Sequence, residues 1–191
     1  MSNSDSLTFP LKKPFTGTNI LSVPDYQKRL YLLIISVFVI HIFLASVIEI
    51  GTDESYYWLY AQKLEWNYFD HPPIVALWAR IFSLNLSLDQ MEVFVRLGSI
   101  VSCALSSFFI YKTVATLHSD RAGWYAALLY NSSFYASLVA GLLIMPDSPQ
   151  MLFWTFSCWL IVRILHNESN WANWLLFGLV SGLCIMSKVH G

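Results

Sequence analysis

Charge is scarce in this chain: 11 Lys and Arg and 12 Asp and Glu are spread over 191 residues and nearly cancel, leaving a formal net charge of −1. The basic residues never form a run, so the electrostatic footprint of a nucleic-acid binder is missing and no nucleic-acid partner is expected. Cysteine is rarer still. Cys103, Cys158 and Cys184 lie inside apolar segments without metal-type spacing; they read as small buried hydrophobes and say nothing about redox compartment.

What fills the chain instead is apolar and aromatic. Hydrophobic residues make up 56%, aromatic residues 16%, and the mean hydropathy is +0.53, the composition of an integral membrane protein. The run 30–50 has about the roughly 20 residues a helix needs to span a bilayer. It is too long for a signal-peptide core and has no small-residue cleavage pattern, so it reads as a retained anchor. Further apolar stretches at 94–117, 122–145, 148–165 and 171–186 give an expectation of about five transmembrane helices. Residues 1–29 lack periodicity and carry Lys12, Lys13, Lys28 and Arg29, which predicts a cytoplasmic N-terminal segment. Lys112, His118, Arg121 and Arg163 mark the same side. The apolar end at Gly191 suggests the front part of a longer protein.

This topology predicts that three polar segments share one outer face: 51–73, 145–149 and 187–190. The connection 51–93 is long enough to be structured or functional. The spacing predicts a helix over 53–64, with Asp53, Tyr57, Tyr60 and Leu64 on one face. Pro72 and Pro73 open a second, over 74–82, whose Trp78 and Phe82 would sit in the membrane interface as a lid.

The adjacent carboxylates Asp53 and Glu54 then stand at a membrane surface. One can act as a general base, or the pair can hold a divalent metal ion that neutralises a phosphate; alternatively both simply cap a helix N-terminus. Asp70 and His71 are fixed beside a rigid Pro-Pro turn. Arg96, one turn into the second span, is an intramembrane charge and so a functional candidate that needs a partner. Asp147, between Pro146 and Pro149, is either a site residue or a helix cap. Lys188 and His190 either bind a phosphate or, for the lysine, snorkel to headgroups. His41 reads as a packing residue, and Gly178 with Gly182 as a close-packing pair.

The Asp-Glu after the first span, the following Tyr-Tyr-Trp at 56–58, the segment Tyr68-Phe-Asp-His-Pro-Pro, Arg96 and Pro146-Asp147 resemble the GT-C glycosyltransferases related to protein O-mannosyltransferases. The likeness covers roughly residues 30–191 and includes the bacterial branch of lipid A aminoarabinose and galacturonic acid transferases. It implies an all-α integral membrane fold, a polytopic helix bundle of the GT-C type with an outer loop of amphipathic helices. It also implies inverting transfer of a monosaccharide from a polyprenyl-phosphate-linked sugar to a glycolipid or protein acceptor, at the outer face of the cytoplasmic membrane. By the same resemblance Asp53 takes the catalytic carboxylate position, Glu54 supports it, and Asp70 and His71 lie near the donor phosphate. Some aminoarabinose transferases have Glu-Lys before the Pro-Pro, so His71 departs from that pattern. The expected site is therefore catalytic Asp53 and Glu54, with Asp53 the metal candidate, and substrate-binding Tyr57, Asp70, His71, Arg96, Asp147, Lys188 and His190. Rival readings are a lipid-substrate transporter or flippase using the same cations, and a non-catalytic membrane subunit.

Overall fold

A computed structural model describes residues 25–85, 87 and 92–188. The described residues fold as helices only: α1 (Tyr26–Val47), α2 (Thr52–Gln62), α3 (Ile74–Phe82), α4 (Glu92–Leu117), α5 (Asp120–Ser132), a π-helical turn (Tyr135–Val139), α6 (Asp147–His166) and α7 (Trp171–Ile185). Short polar caps start several of them. Asp25 accepts from the Lys28 N–H, Ser119 from Ala122 and Asn170 from Ala172, each satisfying a backbone donor the first turn leaves unpaired.

Helix α4 is the hub. It packs against α1, α5, α6 and α3, while α7 lies against α6 and α2 against α3. Its inner face is lined by Gly98, Ser99, Ser102, Cys103, Ser106 and Ser107, small residues that let neighbouring helices approach closely. Leu30, Tyr111 and Ala127 form the core between α1, α4 and α5; Ile74, Phe153, Leu160, Val180 and Cys184 join α3, α6 and α7. Gly98 shows why size matters here. A Cβ at this position would meet the Trp78 ring at 2.8 Å and Phe82 at 3.0 Å, both on backbone that α3 fixes. Gly98→Val is therefore expected to lower stability by about 1–3 kcal/mol, the usual cost of overpacking, read as a depressed thermal unfolding midpoint in detergent.

The expectation of five spans is overturned. Among the described residues two helices, α1 with 22 residues and α4 with 26, are long and apolar enough to cross a membrane. The stretch 122–145 is interrupted: α5 stops at Ser132, Ser133 is extended, and the chain continues through the π-turn into irregular backbone. Helix α6 reaches 20 residues but carries Asp147, Gln150, Arg163 and His166 along with its apolar side chains. Helix α7 has only 15 residues, about 22 Å at 1.5 Å per residue, short of the roughly 30 Å hydrocarbon thickness. Total apolarity identified these segments, but the length of unbroken helix decides what can span. The outer face of α1, with Leu32, Ile35, Val39 and Phe43 exposed, is apolar enough to meet lipid.

A second correction concerns α3. Its bounds match the predicted 74–82, but its rings are not turned outward. Ile74, Val75, Ala76 and Ala79 are buried, and Trp78 turns inward, packing against Phe153 and donating its indole N–H to Gly98 O and Ser102 Oγ. Gly178 and Gly182, by contrast, meet nothing within 4 Å of a notional Cβ, so the packing expected of this pair is not made within the described residues.

Candidate active site

The C-terminal end of α1, the start of α2, the turn before α3, the start of α6 and the end of α7 meet at one end of the bundle. The Ile74 N–H reaches Met186 O at 3.4 Å, the Ile144 N–H reaches Glu54, and Lys188 reaches Asp147. The described residues of the three polar segments singled out by the sequence are thus brought together.

Asp53 and Glu54 are neighbours in the first turn of α2, about 100° apart around the helix axis, and their fates diverge. Glu54 points inward and is 2% exposed. Its Oε1 accepts from Arg96 Nε at 2.8 Å and from the Ile144 N–H at 3.0 Å; its Oε2 accepts from Arg96 Nη2 at 2.6 Å and from the Gly51 N–H at 3.1 Å. Arg96, fully buried, also donates to the carbonyls of Ala45, Ile48 and Glu49 at 3.2, 2.5 and 3.0 Å. One guanidinium therefore satisfies the carbonyls that the end of α1 leaves open and the carboxylate that opens α2. Asp53 remains exposed.

Burial pushes the Glu54 carboxyl up, but the hydrogen bonds from Arg96, Gly51 and Ile144 and the Arg96 charge outweigh it, so its pKa lies below the ordinary 4.5. A group depressed in the folded state stabilises that state above its unfolded pKa. The contribution is complete above about pH 4.5 and is lost as pH falls through the folded value. Unfolding midpoints measured from pH 7 down to pH 3 should drop in that acid limb, and Glu54→Gln should flatten it.

Around Tyr57 lie carboxylates and phenols. Tyr57, one turn along α2, feels burial first and then the charges of Asp70, Asp53 and Asp147, which together push its hydroxyl up to about 12. The hydroxyls of Tyr56 and Tyr60 donate to Asp70 Oδ1 at 2.8 and 2.6 Å and lie 2.5 Å from each other. Led by the Tyr60 bond, these contacts and the nearby His71 charge hold the Asp70 carboxyl below its usual range. Tyr68 is the staple of the turn. Its ring stacks on Tyr60 at 3.9 Å, and its hydroxyl accepts from the Glu65 N–H and donates to the Tyr60 and Lys63 carbonyls. His71 is half-buried, its ring 5.5 Å from Tyr57, and its Nδ1 has no hydrogen-bond partner.

Asp147 is the first residue of α6, with Pro146 as the cap. Its Oδ1 accepts from Lys188 Nζ at 2.6 Å and from the Tyr135 hydroxyl. The π-turn carries Tyr135 to that position, and His41 of α1 braces the turn through Ser137 Oγ at 3.2 Å. Arg96 sits behind the site, bonded to Glu54. His190 lies outside the described residues. The sequence put Tyr60 on the Asp53 face of its helix and Tyr56 in the Tyr-Tyr-Trp motif without giving either a role in the site, and it did not single out Tyr135. The i, i+4 spacing of Tyr56 and Tyr60 could have revealed the first two, whereas Tyr135 had no local signal.

Among the described residues no group of three or more His, Cys, Asp and Glu gathers as a metal site. Both Glu54 oxygens already accept twice, so a divalent ion held by Asp53 would complete its shell from water and phosphate oxygens rather than from Glu54.

A sequence profile described as dolichyl-phosphate-mannose-protein mannosyltransferase matches residues 70–191, a span that includes Asp70, His71, Arg96, Asp147 and Lys188 but begins after Asp53 and Glu54. The chain is also 25% identical over 136 residues to undecaprenyl phosphate-alpha-4-amino-4-deoxy-L-arabinose arabinosyl transferase 2 of Proteus mirabilis (strain HI4320). That similarity covers 69% of this chain and 24% of the relative, so the chain spans about a quarter of the relative's length. No solved structure matches.

Proposed function

Because this chain belongs to the dolichyl-phosphate-mannose-protein mannosyltransferase family, we propose that it carries part of the active site of a membrane glycosyltransferase moving a monosaccharide from a polyprenyl-phosphate donor to a glycolipid or protein hydroxyl. The observation that carries this reading is the splitting of the acidic pair: Glu54 is locked to Arg96, and Asp53 is left exposed beside Tyr57.

In this reading the acceptor oxygen attacks the anomeric carbon of the sugar. Its proton passes to the Asp53 carboxylate, the new glycosidic bond forms with inversion, and the bond to the donor phosphate breaks, releasing polyprenyl phosphate. Asp53 acts as general base. Lys188 and His71 face the leaving phosphate, whose charge they offset. Asp147 and Tyr135 fix Lys188, and Asp70 with its two phenols fixes the turn that carries His71. Alternatively, Asp53 would hold a divalent ion that supplies Lewis-acid neutralisation of the phosphate. An undecaprenyl phosphate-linked donor is favoured by the Proteus mirabilis relative, whose name specifies an undecaprenyl phosphate-linked aminoarabinose.

The test is mass spectrometry of lipid A and surface glycans from cells with the full-length gene, the deletion, and the deletion complemented with wild type. A single sugar mass lost on deletion and restored by the gene identifies donor sugar and acceptor. Unchanged glycans, with polyprenyl-linked substrate redistributed across the membrane instead, would favour transport without bond formation and sink the transfer reading.

A further inference from the structure

The end of the bundle opposite the acidic site holds a different pattern. Of the nine Lys and Arg among the described residues, five have an acceptor: Lys28 on Asp25, Lys63 on Glu65, Arg80 on Asn85 and Ala61 O, Arg96 on Glu54, and Lys188 on Asp147. The other four, Arg29, Lys112, Arg121 and Arg163, form no ion pair or side-chain hydrogen bond among the described residues. Each instead sits over an aromatic ring: Arg29 over Tyr26 and Trp124, Lys112 over Phe108, Arg121 over Tyr125 and Arg163 over Trp159, at 4.9–5.9 Å.

These four lie at the same end of the bundle. Tyr26 and Trp124 bring the starts of α1 and α5 together, Tyr111 packs the end of α4 against both, and Phe109 contacts Trp159 of α6. A cation seated on a ring is held in place by its face while its N–H edge stays open to an acceptor. Among the described residues these four seats have no ion-pair partner and outnumber the carboxylates Asp120 and Glu168 at the same end, so this end presents a net positive surface with open donors. Exposed rings and leucines on these helices and at the start of α7 say what kind of anion. Trp171, Trp174 and Tyr125 are 70%, 51% and 45% exposed, and Leu117, Leu129 and Leu165 are also exposed. Indole and phenol rings beside open cations and bare leucines match a headgroup layer, where amphipathic rings and basic side chains both settle. An acidic soluble protein would leave the leucines in water.

We propose that this end binds the phosphodiester headgroups of anionic phospholipids, with Arg29, Lys112, Arg121 and Arg163 as the headgroup seats. The probe is phosphatidylglycerol, compared with phosphatidylcholine of the same acyl chains, added to the full-length protein in detergent. Native mass spectrometry should show bound phosphatidylglycerol retained in preference to phosphatidylcholine, with a preference that weakens in high salt. Each cation removed should weaken it about fivefold, so Arg29→Gln with Arg121→Gln and Arg163→Gln should nearly abolish it, while the three Lys replacements should largely keep it. Equal retention of the two lipids by wild type would overturn the proposal, and this comparison decides even if the triple Gln variant does not fold. So would a preference undiminished in a folded triple Gln variant, or a soluble polyanion such as heparin displacing the lipid at equal charge.

Discussion

Asp53→Asn is expected to lower kcat for sugar transfer by roughly a hundredfold to ten-thousandfold, the range a positioned general base supplies, with KM and the unfolding midpoint nearly unchanged. The amide keeps the shape of the carboxylate and removes the basic oxygen. Little structure should follow it, because Asp53 is exposed and the hydrogen bonds that hold this turn belong to Glu54. That separation makes the experiment informative. A loss in kcat and kcat/KM together, at constant stability, reports an interaction made only in the transition state. Glu54→Gln provides the contrast, since it should reduce stability and activity in parallel. Turnover by purified full-length Asp53→Asn near the wild-type rate would remove the base from Asp53, and with it the mechanism proposed for this site.

The two acidic neighbours also show where sequence reasoning reaches its limit. Composition and spacing identified Asp53 and Glu54 as a unit, and the first turn of α2 is where it was expected. Which of the two faces inward is decided by Arg96, 42 positions further on, and by the Ile144 N–H, 90 positions away; no local pattern encodes that. Local signals served well where the physics was local. The helices predicted over 53–64 and 74–82 form as Thr52–Gln62 and Ile74–Phe82, the first ending before Leu64 and the second starting directly after Pro73. They failed where a window average hides a break. The run 122–145 is apolar on average, yet it contains Asn131-Ser132-Ser133, where Ser133 turns extended and the backbone enters a π-turn. That backbone finds its acceptors and donors in Glu54, Ser99 and Ser148, on three other elements. The interruption is what carries Tyr135 to Asp147, so the same feature that defeated the span count built part of the site.

Arg96→Met is the largest stability effect expected, about 3–5 kcal/mol, because it strands a buried carboxylate without its partner. Against a total stability of roughly 5–15 kcal/mol that is enough to unfold much of the protein, and activity should go with it. Arg96→Lys should rescue poorly. An ammonium is a point donor, and it cannot present the planar fork that meets both Glu54 oxygens while reaching the carbonyls of Ala45, Ile48 and Glu49. The double variant Arg96→Met with Glu54→Gln separates the two duties of the arginine. Removing both charges relieves the stranded anion, so the double should be less destabilised than the sum of the singles, by a coupling energy of about 1–3 kcal/mol in a double-mutant cycle. It should still fall short of wild type, because the carbonyls of Ala45, Ile48 and Glu49 lose their donor and the one amide oxygen of the glutamine replaces two carboxylate oxygens that accept from Gly51 and Ile144 separately. Simple additivity in that cycle would mean the pair is not coupled, and the joint that sets Asp53 at the surface would have to lie elsewhere.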